Sequence, residues 1–396
     1  MEMSSKTTPA YFDKLKQISQ LNGFVLRSKM RNGEKCVQFV YLFAMYLYAV
    51  LFFYRSWNFD SDEIDDFIYG AVIANMIPRS TILRIHRSKL ADLLKSLENA
   101  NNYKIKRVFE LRKELERALS TASSIFIPMG IGSFLVTVII WFLTKKPGSL
   151  PFGSMPSWAL NYSFSMCLII QLILFACMGL DYVLTDTIKL CLMLQLQIHF
   201  KYLRVSINEV MDDAKEDFCC EKNIDPALVD QHSVPWLYQH GQMKKIISHY
   251  QYVIKIANEA ETIFNKSVLA SFVNLSFLIC AELLRLTSVP TFSLQFWKMC
   301  VYVLAACTYF FGDCFFTQRV ITENEYLVDS CYDVDFVGSN LPFQKCLLLF
   351  MARTQKSVVF TIGKFAPVTM VTMITILKAS FSYFTLLQKR QNRAST

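Results

Sequence analysis

Charge and glycine are both in short supply. Aspartate, glutamate, lysine and arginine make up 18% of the 396 residues, against 53% hydrophobic and 14% aromatic. A soluble domain carries about 25% charge, so the composition argues against a freely soluble chain. With only 12 glycines, neither a phosphate-loop spacing nor a G-x-S-x-G elbow is present. No catalytic constellation stands out, so an enzyme is not expected and no cofactor is called for. The 12 cysteines include no C-x-x-C pair, and Cys167, Cys177, Cys280, Cys300, Cys307 and Cys314 fall in or beside apolar runs. That pattern argues against a disulfide framework. Cys219 and Cys220, with His232, His240 and His249 downstream, match no zinc spacing; they read as a solvated loop with two thiols and no metal. The net charge of +9 does not mark a nucleic-acid binder, because the basic residues flank apolar runs instead of gathering in one patch. Residues 1–35 lack the short apolar core and small-residue cleavage site of a secretory leader. The first apolar run is therefore expected to act as the insertion signal.

What the chain does have is long apolar runs. Residues 122–143 and 147–180 carry no charge at all, and a helix needs about 20 apolar residues to cross the hydrocarbon core. The fold expected is all-α and polytopic, a single membrane domain over 1–396 with seven spans. These lie near 36–54, 67–85, 122–143, 157–180, 267–284, 296–317 and 365–388. The second is the weakest: its apolar part ends at Pro78, and Arg79, Arg84 and Arg87 follow. It can cross only if its last turns are buried in protein or its arginines snorkel to the interface. Residues 90–117 are strongly charged but keep an apolar stripe of Leu90, Leu93, Leu94 and Leu97, which predicts an amphipathic cytosolic helix. The fourth span meets no breaker and is expected to run on as helix to Val210. A polar loop over 212–236 follows. Then Ile246, Tyr250, Val253, Ile254 and Ala257 share one helical face that leads into the fifth span. Segments 181–266 and 318–356 are expected to form a cytosolic anchor. The last apolar region is split, with 342–351 too short to cross and 365–388 long enough.

Lysine and arginine set the orientation. Seven of them precede the first span, and eleven lie between Arg79 and Arg117. Only Arg55 separates spans one and two, and only Lys145 and Lys146 separate three and four. The N-terminus is therefore expected in the cytosol and, with seven spans, the C-terminus outside. Asn161-Tyr162-Ser163 is a glycosylation sequon in the outer loop this topology implies.

Ionisable groups in or beside spans are costly and so informative. Asp181, Asp186 and Lys189 read as structural salt bridging between helix extensions. Glu282 and Arg285 are i,i+3 neighbours expected to pair on the surface. Asp313 must face a wet cavity or a cation. Lys378 either snorkels or pairs across a subunit contact. Tyr69, Ile73, Phe134, Thr137, Trp141, Cys167, Ile170, Gln171 and Leu174 stand at helical spacing in the outer halves of spans two to four. They fit either ordinary helix packing or an apolar cavity with a few polar groups, the usual form of a small-molecule site. On the second reading the ligand is small and mostly apolar.

The stretch PFQKCLLLFMARTQKSVVFTIGKFAPVTMVTMITILKASFSYFTLLQ, 342–388, resembles the C-terminal signature of insect odorant receptors. The matching residues are Met351, Arg353, Gln355 and Lys356, then Gly363, Lys364 and Phe365, then Leu377, Lys378, Ser380, Tyr383, Phe384 and Leu387. The run Ala366-Pro367-Val368-Thr369 is a looser fit. The loop between spans four and five lacks the long insertion of the family's shared co-receptor, so the chain resembles a tuning subunit. The resemblance implies an odorant-gated, non-selective cation channel, a heterotetramer with the co-receptor in the plasma membrane of sensory neurons. It implies an outer odorant pocket and a last span that lines the pore. Leu386 matches a position where the family places an apolar constriction, with Tyr383 and Leu387 beside it and Lys389 and Arg390 at the outer mouth. The related gustatory receptors, which share the architecture, are the nearest alternative. A G-protein-coupled receptor would have its N-terminus outside, and neither Asp-Arg-Tyr after span three nor Asn-Pro-x-x-Tyr in span seven is found.

Overall fold

The computed structural model describes residues 32–57, 64–100, 106–144, 150–153, 155–156, 160–161, 163–230, 233–286, 289–290 and 292–394. The described residues form ten α-helices, one 3-10 turn and one small hairpin. In chain order these are α1 Asn32–Trp57, α2 Ile64–Ile85, α3 Arg87–Ala100, α4 Lys106–Thr144, α5 Phe164–Asn208, α6 Val210–Lys222, α7 Trp236–Leu286, α8 Leu294–Tyr332, α9 Leu341–Thr354, β1 Thr361–Ile362, β2 Ala366–Pro367 and α10 Met370–Ala394.

Five of these helices, α1, α4, α5, α7 and α8, are long and apolar enough to cross a membrane. Large apolar side chains stay uncovered on their outer faces, among them Phe39, Phe43, Leu135, Phe142, Met166 and Ile173, as a lipid-facing surface requires. Helix α5 has 45 residues and α7 has 51. At ~1.5 Å per residue they reach about 68 and 77 Å, more than twice the ~30 Å hydrocarbon core. Both must therefore run well past it. Their far halves, with α8 and α9, build the larger apolar core, which includes Phe200, Leu203, Met243, Val253, Leu327, Phe343 and Leu347. Its stripe from α3 consists of Leu90, Leu93 and Leu94, while the side chain of Leu97 lies outside the described residues. Residues 106–117 of the charged segment belong to α4, which runs unbroken from Lys106 to Thr144, and residues 101–105 lie outside the described residues.

Two local expectations change. Residues 212–222, expected as loop, are helical as part of α6, which packs against α7 with Val210, Met211, Ala214 and Cys219 buried. Cys219 is turned in and Cys220 out; His232 lies outside the described residues. The helix stops at Asn223, in the left-handed region at φ 52°, which asparagine tolerates. The second change is at the start of the last helix. Gly363 and Lys364 have φ of 56° and 68°, and Phe365 N donates to Ile362 O at 3.0 Å. This turn pairs Ile362 with Ala366. Thr369 Oγ1 accepts from Thr372 N at 3.3 Å as a cap, and α10 begins at Met370. Gly363 N also donates to Asn265 O of α7 at 3.2 Å, and a side chain at Gly363 would run into Leu269.

The arginines of α2 do not snorkel. Arg79 and Arg84 are 1% and 4% exposed. Arg84 takes Asp181 in two bonds of 2.9 Å and lies over the Tyr41 ring at 4.3 Å. Tyr41 itself donates to Asp181 at 3.1 Å. Arg79 pairs with Asp186, donates to Ser267 at 3.3 Å and lies 4.2 Å over the Tyr182 ring. Lys189 bridges Asp186, at 3.2 Å, and Asp313 of α8. Asp313 thus faces a cation, as one of its two readings required. The cluster holds three cations and three carboxylates and ties α1, α2, α5, α7 and α8 together.

Removing one partner of such a pair strands the other charge, at a cost of about 3–5 kcal/mol. Asp181→Ala should therefore strongly lower thermal stability in detergent. Asp181→Ala with Arg84→Ala should lose less than the sum of the two single changes. A strictly additive pair would show that the two side chains do not act together.

Candidate functional site

A cavity of about 150 Å³ lies where five helices converge. Its walls are Tyr69, Val72, Asn75 and Met76 of α2, Gly130, Ser133 and Phe134 of α4, Phe175, Gly179 and Tyr182 of α5, Leu278 and Glu282 of α7, and Tyr302, Ala305 and Tyr309 of α8. At Gly130 α4 packs so closely that a methyl group would overlap Val183 and Tyr309. An engineered apolar cavity of about 150 Å³ is known to take benzene, which sets the scale of what fits.

A loop closes one side. Phe152 stacks on Phe175 at 4.3 Å and on Phe134 at 5.3 Å, and meets Tyr69 edge-on at 6.2 Å. Gln171 of α5, fully buried, holds this loop in place. Its Nε2 donates to Gly153 O at 3.1 Å and to Tyr48 Oη at 3.0 Å, and its Oε1 accepts from Phe152 N at 3.4 Å. Gly153 sits at φ 93° with Phe52 where a side chain would be, so the turn needs glycine.

The nine side chains picked from the sequence end in different places. Tyr69 and Phe134 line the cavity. Thr137 stands one step behind, donating to Ser133 O at 2.9 Å and bonded to the Tyr302 hydroxyl. Gln171 has its amide committed to the loop. Ile73 and Leu174 are buried in the apolar cluster around Phe152, and Cys167 packs against that cluster. Trp141 is half-buried and Ile170 exposed, and neither is part of the lining. Sequence reasoning missed Phe152, Glu282 and the whole α8 wall. Phe152 carried a signal, being an aromatic residue between Pro151 and Gly153 in an uncharged run. Glu282 is 2% exposed and faces the cavity, not the surface pairing expected for it. On α10, Tyr383 and Leu386 are 66% and 61% exposed and Lys389 is exposed too. The side chains of Leu387 and Arg390 lie outside the described residues. Asn161 is exposed.

The floor of the cavity is the ion cluster. Asn75, Tyr182 and Tyr309 line both the cavity and the small gap that reaches Arg79, Asp186 and Asp313.

The family profile described as 7tm Odorant receptor matches residues 62–381. The chain belongs to that family. The receptor is 21% identical over 354 residues to odorant receptor Or2 of Anopheles gambiae, covering 87% of this chain and 89% of that one. It is 22% identical over 323 residues to odorant receptor 85c of Drosophila melanogaster, covering 76% of each. The structure of the olfactory receptor OR5 of Machilis hrabei in complex with eugenol superposes with a TM-score of 0.77 at 11% identity, over 96% of this receptor and 98% of that chain. The receptor thus has the insect olfactory receptor fold and is a multi-pass membrane protein, not an enzyme.

If the cavity binds ligand, Ala305→Phe should fill it and abolish responses at normal surface expression. Phe152→Ala should shift the dose response by about tenfold or more, on the scale of one lost buried contact. Trp141→Ala, outside the lining, should leave it unchanged. A loss of response with Trp141→Ala but not with Ala305→Phe would place the site elsewhere.

Proposed function

We propose that this receptor is the odorant-tuning subunit of a non-selective cation channel, assembled with a shared co-receptor as a heterotetramer. It binds a small, mostly apolar volatile in the cavity beneath Phe152. The observation that carries this reading is the lidded, largely apolar cavity at the centre of an odorant-receptor fold. The eugenol held by the structural relative supports the class of ligand. The protein works in the plasma membrane of sensory neurons with its N-terminus in the cytosol and its C-terminus outside, which puts Asn161 on the outer side. The far halves of α5, α7 and α8, with α9, form the cytosolic anchor.

Helix α10 supports the channel part. One face packs on α7, with Met373, Ile376 and Ser380 buried and Ser380 Oγ donating to Ser276 O at 3.4 Å. The rest leaves Val371, Ile374, Phe381, Tyr383 and Leu386 uncovered. An apolar ring formed by such residues would block ions by dewetting. Lys389 and Arg390 at its outer mouth would repel cations.

Co-expression with the co-receptor should give odorant-evoked cation current, and the chain alone should give none. Current from the chain alone would make it self-sufficient. Silence of the co-expressed pair to a broad panel of volatiles would remove the reading. In the working complex, Leu386→Ser should raise basal current by hydrating the constriction. Unchanged basal current and selectivity would put Leu386 against lipid.

A further inference from the structure

The polar groups around the cavity are not balanced. Tyr309 spends its hydroxyl on Phe126 O at 2.6 Å, Ser133 on Gly130 O at 2.9 Å, and Tyr302 is bonded to Thr137. The Tyr69 hydroxyl accepts from Lys298 at 3.4 Å. Among the described residues, two lining oxygens are buried without a hydrogen-bond partner, Glu282 Oε2 and Asn75 Oδ1, and both can accept. Glu282 is the decisive one. The residue is 2% exposed, its Oε2 can accept a hydrogen bond, and a buried oxygen left without a donor is costly. Lys298 stands at the same end of the cavity, with its Nζ 3.4 Å from the Tyr69 hydroxyl. A second cation in the cavity would face Lys298, whereas a neutral O–H would not.

We propose that Glu282 makes this cavity selective for neutral odorants that carry a hydrogen-bond donor, a hydroxyl on a body of about one ring, with the O–H donating to Glu282. The inference rests on the cavity being the odorant site. A purely apolar molecule of the same size fills the space but leaves the carboxylate unmet. An ether brings a second acceptor against it. The rings of Phe134, Phe152 and Phe175 hold the apolar body in every case, so the donor alone separates these ligands.

The test uses the receptor co-expressed with the co-receptor and four probes of equal heavy-atom number: benzyl alcohol, anisole, ethylbenzene and benzylamine. Benzyl alcohol should open the channel at a concentration lower by about tenfold or more than any of the other three, the scale on which a site built to hydrogen-bond rejects an analogue lacking the group. Glu282→Leu, at matched surface expression, should bring benzyl alcohol to within about threefold of ethylbenzene. Glu282→Gln keeps an accepting oxygen and should retain part of the preference, which keeps the idea testable if the leucine variant fails to reach the surface. Equal potencies in the unmodified receptor would overturn the proposal. So would benzylamine as the best probe, an unchanged preference in Glu282→Leu, or silence to all four while other volatiles open the channel. Silence of the complex to every volatile would instead count against the odorant-receptor reading itself.

Discussion

Six buried charges at the level of Arg79, Arg84 and Lys189 set the frame for everything else in this receptor. In an apolar bundle an unpaired charge is far more expensive than a lost packing contact. Helices α1, α2, α5, α7 and α8 must therefore meet in the one register that brings Asp181, Asp186 and Asp313 to their cations. That requirement explains why α2, too charged to cross a membrane by composition, still belongs inside the bundle: its arginines are met by protein and do not need water. It also fixes the floor on which the cavity stands, because Asn75, Tyr182 and Tyr309 belong to both.

From this floor a physical route leads outward. A ligand in the proposed site would press on Tyr182, a ring held beneath the Arg79 guanidinium, and Arg79 is tied to Asp186 and to Ser267 of α7. Helix α7, which carries Ser267, also holds α10 through Ser276 and holds the turn before it through Asn265. The cavity and the uncovered face of the last helix are thus joined by short contacts through α7. Such contiguity is what a coupling between ligand and pore needs, though it is the two-state behaviour of the elements that does the work.

Much of the fold was legible because it rests on periodicity and composition. The long α5 and α7, the short α9 and the break before the last helix all follow from where charges, prolines and apolar faces fall. The family was legible from the C-terminal residues around Gly363 and Tyr383. The hairpin was less so, since Gly363 and Lys364 turn the chain only in company with Asn265, distant in sequence. The cavity was legible in part. Tyr69 and Phe134 could be picked from the outer halves of their helices. Helical spacing could not separate Gln171, which faces inward but is consumed by the loop, from a side chain free to meet a ligand. Phe152, Glu282 and Tyr302 reach the cavity from a loop and from helices far along the chain, and only tertiary structure brings them together.

The central claim is that small molecules bind beneath Phe152, inside a single subunit. A cryo-electron microscopy map of the receptor assembled with its co-receptor, at saturating concentration of an agonist found by current recording, tests it directly. The account predicts ligand density bounded by Tyr69, Phe152, Glu282 and Tyr302. Density at a subunit boundary or on the lipid-facing surface, with this cavity unfilled, would contradict it.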